Sequence, residues 1–427
     1  MHMNNSLYFI YRVSKFCGLL PVTFLRSGGY EKPVLCKKSL FYSCVLFIAI
    51  SVVQLYFVVH LSMERIHTNS DVSHVNIQII LSLNACIMTT YVLSAITRLI
   101  RMHNFFKISY KLRSVGSLIN YHESTNSYNT VIAVHSILII AYLGRSVVGW
   151  IRINCVLSLL PFFVSCLMCQ IITNFADIQF TYFVFIVHTY FMLLNSRVNE
   201  VTASLQTVKS KECISFNRNN TSEFSAENSL VNCDFHELIT IHDALCDVLD
   251  VINSTYSLQV LAMVGWKFLN VTIGFYLMLS VILDSKIYQV LSFSSLMFSI
   301  TCEAMQLVVV VLCCNSTSFQ ANRTPVLVHR LLSKISDHGT RAELELFSLQ
   351  LLHRKVQFTA CGFFPLDFTL LYSIVGAVTT KGITKYCFFY IVDLCYFLTC
   401  IFYTKFLDRT FSLYTIRIIF LIIRILH

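Results

Sequence analysis

Uninterrupted apolar runs recur along this chain, and no other feature limits its fold as strongly. A helix needs about 20 apolar residues to cross roughly 30 Å of hydrocarbon, and runs of that length fall at 39–60, 75–97, 130–150, 258–283 and 288–314. A further region, 156–195, is apolar throughout and would make about 60 Å of helix at 1.5 Å per residue. It is either one long helix projecting from the membrane or two spans broken near Asp177. A last run starts at Gly362. Of the 427 residues, 56% are hydrophobic and only 13% charged, about half the charged share of a soluble domain. The chain reads as an all-α, polytopic membrane protein.

Lys and Arg decide between the two readings of 156–195. Taken as one span, it leaves 21 Lys and Arg, from Arg12 to Lys355, on one side of the membrane. The other side then holds three, Arg65, Arg152 and Lys286. Taken as two spans, it divides them 12 against 12. Cytoplasmic loops hold the excess of Lys and Arg, so the single long helix is favoured. The N-terminus is then cytoplasmic, and the run at Gly362 is the seventh span. The net charge of +10 lies in the short segments between apolar runs, so it reports topology and argues against nucleic-acid binding.

On this topology the outer loops, about 61–74, 151–155 and 284–287, are too short for a folded ectodomain. The parts are a cytoplasmic segment 1–38, helices one to four in 39–195, a cytoplasmic connection 196–257, helices five and six in 258–314, a second connection 315–361, and the first part of helix seven in 362–380. Both connections have helical periodicity. Leu238, Ile241, Leu245, Val248, Ile252 and Tyr256 recur at steps of three and four, one stripe on a helix, and Leu344, Phe347 and Leu351 make a second. The spacing predicts a cytoplasmic helical anchor region, with a flexible Ser- and Asn-rich loop over 213–232.

His236, His242, Asp243, Asp247 and Asp250 are read as the solvated face opposite the first stripe. No catalytic residue, metal site or cofactor is expected. Cys44, Cys86, Cys166, Cys169, Cys302, Cys313 and Cys314 lie in apolar runs, where Cys acts as a small hydrophobe, and the spacings suggest no disulfide framework. The first 38 residues lack a continuous apolar core, so a cleaved signal peptide is not expected.

The last run begins with a Pro suited to a first helical turn, Pro365, and carries small residues at Ser373, Gly376 and Ala377 that admit a neighbouring helix. Within it Gly362, Phe363, Phe364, Leu366, Asp367, Leu370, Leu371, Ile374, Gly376, Ala377, Val378, Thr379 and Thr380 match a pattern that resembles the last transmembrane helix of insect gustatory receptors. His242-Asp243-Ala244-Leu245, with Asn253 downstream, resembles the segment before that family's fifth span. The resemblance covers spans four to seven; the first three match in hydropathy and placement. It implies a ligand-gated cation channel in the plasma membrane of gustatory neurons. Each subunit of a homo- or hetero-tetramer would bind a small-molecule tastant and add its seventh span to a central pore. An odorant receptor of the same superfamily is the nearest alternative; a membrane-embedded enzyme or transporter is the alternative from another class. A G-protein-coupled receptor is disfavoured by orientation.

Ionisable side chains within spans are costly in lipid and mark cavities or partners. Lys267 and Glu303 lie roughly 14 and 17 Å from the inner ends of the fifth and sixth spans and are expected to pair. Arg145 and Asp177 lie roughly 22 and 27 Å from the inner ends of the third and fourth. Because the resemblance implies a pocket opening outward among spans two to six, these two are the ligand candidates. After Thr380 the resemblance stops, with Lys381-Gly382-Ile383-Thr384-Lys385 where the family has an apolar ending. Residues 381–427 draw 27 of their 47 positions from Phe, Tyr, Ile and Leu. This atypical tail is either an eighth span over 386–403 or a stretch foreign to the functional receptor, with the composition of a translated AT-rich intron.

Overall fold

The computed structural model describes residues 5–19, 22–27, 30–67, 87–98, 100–119, 125–152, 160–214, 221–283, 290–335 and 338–382. The tail beyond 382, most of the outer loops and the side chains of Arg145, Thr379 and Thr380 lie outside the described residues. Helices dominate. After α1 (Asn5–Phe16) comes a hairpin of β1 (Val22–Ser27) and β2 (Tyr30–Leu35), paired antiparallel with Val22 opposite Leu35. Next come α2 (Lys37–His67), α3 (helical over 87–98), α4 (Met102–Leu118) and α5 (Thr125–Arg152). The largest elements follow: α6 (Leu160–Ile214), α7 (Thr221–Leu283) and α8 (Val290–Leu332), then the short α9 (His338–His353) and α10 (Phe368–Gly382).

The region 156–195 is one helix where the structure describes it, since α6 runs unbroken through Asp177. With 55, 63 and 43 residues, α6, α7 and α8 extend about 80, 95 and 65 Å. That is two to three times the hydrocarbon thickness, more than a single crossing requires. Among the described residues four helical stretches are long and apolar enough to cross it: Lys37–His60, Leu160–Gln206, His236–Phe275 and Met297–Leu332. Ala133–Val148 and Phe368–Val378 are shorter apolar helices.

The core forms where α4, α6, α7 and α8 meet. Both predicted stripes are buried, Leu238 through Tyr256 on α7 and Leu344, Phe347 and Leu351 on α9. Phe180 and Phe183 of α6 lie 5.6 and 6.2 Å from the Tyr256 ring, and Phe105 of α4 meets Phe183 edge-on at 5.5 Å. A side chain at Gly116 of α4 would place its Cβ 2.6 Å from the Tyr190 hydroxyl of α6, so glycine sets that helix approach. His242 corrects the solvated-face expectation: it is 2% exposed, standing edge-on between Phe191 and Phe347. Asp243, Asp247 and Asp250 do face solvent, where Arg354 reaches all three at 3.3, 2.7 and 3.6 Å and Lys111 reaches Asp247 at 3.1 Å.

Residues 354–367 form a strap from α9 to α10, seated by its backbone. Asn322 of α8 both donates to the Val356 carbonyl and accepts from the Val356 amide, and Asn253 of α7 accepts from the Thr359 amide. Phe358, 2% exposed, plugs the strap edge-on against Phe180. Cys361 and Gly362 then take left-handed φ values of 52° and 77°, which glycine accepts freely and cysteine does not. The last helix therefore does not start at Gly362 or Pro365. Pro365 bridges to Thr359, and Asp367 caps the helix from Phe368, its carboxylate accepting the Thr369 amide at 2.9 Å. The helix continues through Lys381 and Gly382. The loop expected over 213–232 is also shorter, because Cys213 and Ile214 close α6 and α7 is already helical from Thr221.

Candidate ligand-binding site

Four helices surround a narrow cavity with about 20 Å³ of open space, room for about one water, and helical spacing explains each wall. Ile87, Thr90 and Ser94 repeat at three and four along α3; Gln170, Thr173, Asn174 and Asp177 do so along α6; Gln259, Met263, Trp266 and Lys267 line it from α7, and Glu303 from α8. Each set is one face of one helix. Most of the lining residues carry polar groups, but the surface they present is mainly apolar, with Trp266, Met263 and Ile87 contributing to it.

Three buried charges line this cavity, Asp177, Lys267 and Glu303, and a fourth, Arg98, lies behind them; none is more than 6% exposed. Lys267 Nζ lies 3.1 Å from Glu303 Oε2 and donates to Gln306 Oε1 at 2.6 Å. Its third neighbour is Asp177 Oδ2 at 4.0 Å. Asn270, one turn from Lys267, donates to the other Glu303 oxygen at 3.2 Å. Gln259 joins the remaining charge: it donates to Asp177 Oδ1 at 3.4 Å and accepts from Arg98 Nε and Nη2 at 3.3 and 3.2 Å. Arg98 also donates to the Ala176 carbonyl and lies over the Tyr256 ring at 5.2 Å. Two cations thus face two anions in one continuous chain of contacts. Some capacity is left over: Gln170 Oε1, Gln306 Nε2 and Arg98 Nη1 have no hydrogen-bond partner among the described residues.

Of the residues singled out from sequence, Lys267 and Glu303 are brought together, and Asp177 joins them in the same cluster; the Arg145 side chain lies outside the described residues. Arg98 was counted among cytoplasmic cations, yet it is buried against α6 and α7. Gln259 and Gln306 carried no signal beyond lying one or two helical turns from Lys267 and Glu303. The helix-seven motif splits in two. Leu366 and Leu370 are buried and Phe364 is half-buried, whereas Phe363 is exposed on the strap. Along α10, Ile374 and Val378 pack on Val271 of α7 and Ile300 of α8. Tyr372, Ser373, Val375 and Gly376 lie on exposed parts of the helix, so two of the three small residues meant to admit a neighbour face outward in the single chain, while Ala377 is half-buried.

Residues 7–383 match the model of a family described as 7tm chemosensory receptor. Putative gustatory receptor 28a of Drosophila melanogaster is 31% identical over 147 residues, which cover 34% of this chain and 33% of that protein. The gustatory receptor for bitter taste 66a, from the same organism, is 25% identical over 149 residues, 34% of this chain and 28% of that protein. The matches thus span a third or less of these curated relatives. In fold the chain is similar to the insect olfactory receptor OR5 from Machilis hrabei, with a TM-score of 0.58 and 13% identity over 88% of this chain and 96% of that one. That receptor has also been solved in complex with eugenol.

Proposed function

Because the chain belongs to the 7tm chemosensory receptor family, we propose that it is a gustatory receptor subunit, a ligand-gated cation channel opened by a small-molecule tastant. The observation that carries this proposal is the gathering of polar side chains, three of them charged, around a cavity inside an apolar helix bundle. Buried polar groups in a membrane bundle are costly, and a ligand site explains their concentration at one place. The gustatory assignment draws on the relatives named gustatory receptors. The same proposal includes seven spans with a cytoplasmic N-terminus, which the Lys and Arg asymmetry supports, and a homo- or hetero-tetramer in the plasma membrane of gustatory neurons.

A route from cavity to pore follows from helix spacing. Lys267 lies four residues before Val271 on α7, and Glu303 three after Ile300 on α8, so each cavity residue stacks one turn from a residue on which α10 rests. A ligand that moves Lys267 or Glu303 displaces the seat of Ile374 and Val378. The exposed side of α10 would line a central pore when four copies meet. Whole-cell recording tests the proposal, with the chain expressed alone and beside a second gustatory receptor. Tastant-evoked current whose reversal potential follows the cation gradient supports it. Surface-labelled receptor that passes no such current in either setting would count against it.

A further inference from the structure

We infer that the cavity selects uncharged ligands bearing both hydrogen-bond donors and acceptors, and that Lys267 sets this preference by balancing, together with Arg98, the two carboxylates in the wall. The inference rests on the cavity being the ligand site. Arg98 and Lys267 balance Asp177 and Glu303, and the four are linked by direct contacts or through Gln259. All four are buried, so a ligand carrying a unit charge would leave an uncompensated charge in a medium that solvates it poorly. A neutral ligand leaves the balance intact.

Lys267 is the pivot because it alone touches both carboxylates, at 3.1 and 4.0 Å. Its ammonium is already engaged by Glu303 and Gln306, which leaves little attraction for an anion. With Lys267 between them, the carboxylates offer equally little to a cation. What the wall does offer is neutral: the unpartnered acceptor Gln170 Oε1, the hydroxyls of Ser94 and Thr173, and the Asn174 amide, beside the flat apolar surface of Trp266. A compact molecule with hydroxyl or amide groups on a small apolar body fits that set.

Three isosteric probes separate the possibilities: 2-phenylethanol, 2-phenylethylammonium and phenylacetate, titrated calorimetrically into the full-length receptor in lipid nanodiscs. The alcohol should bind at least tenfold tighter than either ion. Lys267→Gln leaves the cluster one charge negative and should raise the ammonium's affinity relative to the alcohol at least tenfold; Lys267→Gln with Glu303→Gln restores balance and should return the original order. Asp177→Asn keeps the Lys267–Glu303 contact, leaves the cluster one charge positive, and should favour phenylacetate by a similar factor, so the inference remains testable if Lys267→Gln does not fold. An ammonium or carboxylate that binds the unaltered receptor as tightly as the alcohol overturns the inference while leaving the cavity as the ligand site. So does an order that neither Lys267→Gln nor Asp177→Asn changes. Failure of all three probes to bind overturns the inference and the cavity site together.

Discussion

Consider Lys267→Met, Glu303→Gln and the two combined. The lysine contacts Glu303 and Asp177 from a position 1% exposed, so its loss leaves two buried carboxylates facing only Arg98. Breaking a buried pair from one side costs about 3–5 kcal/mol. Glu303→Gln is milder, because the amide oxygen still accepts from Asn270 and Lys267 still has Asp177 nearby; losing a charge-assisted hydrogen bond costs about 1.5–3 kcal/mol. If the effects were independent the double variant would lose about 4.5–8 kcal/mol. It should instead lose no more than Lys267→Met alone, since Arg98 and Asp177 again balance and the main remaining deficit is the Gln306 amide, worth about 1 kcal/mol. The expected coupling is therefore at least about 1.5 kcal/mol. Unfolding of purified receptor in mixed micelles measures it, with surface labelling in cells as a second readout. Additive losses would refute the idea that charge balance holds this cluster together.

On the strap, burial should outweigh charge: Phe358→Ala should cost about 3–5 kcal/mol as a cavity-forming change. Arg354→Ala, at an exposed site with three carboxylates, should cost only about 1 kcal/mol or less; thermal unfolding ranks the two. Gly116→Ala gains about 1 kcal/mol in helix propensity but drives its Cβ to 2.6 Å from the Tyr190 hydroxyl, and overpacking of about 1–3 kcal/mol should make the net change a loss. In a Tyr190→Phe background only the ring carbon at 3.3 Å remains, and the loss should shrink. Asn219 and Asn220 lie in a connection proposed to be cytoplasmic, so the expressed receptor should carry no glycan there; a shift in mass after glycosidase treatment that depends on these two residues would reverse the proposed topology.

The helices that pack were legible because packing imposes a period. Leu238 to Tyr256 had to face one way, and they do. Composition misled where a neighbour overrode it: the Ser- and Asn-rich stretch after Thr221 looked like a loop, but extending a helix that is already nucleated costs little. Pro365 drew the start of the last helix too early, although the sequence also held the correct signal, Asp367 two residues before Thr369, in an N-cap position. The β1–β2 hairpin was overlooked, yet Gly28-Gly29 between two runs rich in β-formers is a hairpin signature. In the cavity, depth along a span singled out Lys267 and Glu303, because burying a charge is costly enough to mark a position. Gln259 and Gln306 carry no charge, and Arg98 sits at the end of an apolar run, where counting by side of the membrane assigns it to a loop. The chain of contacts joining all of these is a property of four helices brought together, which no single stretch of sequence displays.

The most direct test of the proposed mechanism fills the cavity and leaves the pore alone. Thr173→Phe places an aromatic ring in the α6 wall, away from α10, and whole-cell currents to a tastant panel are compared with those of the unaltered receptor at matched surface density. Tastant-evoked cation current should be present in the unaltered receptor and lost in Thr173→Phe. Responses that survive in the filled receptor with unchanged dose dependence would place the ligand elsewhere and contradict the account.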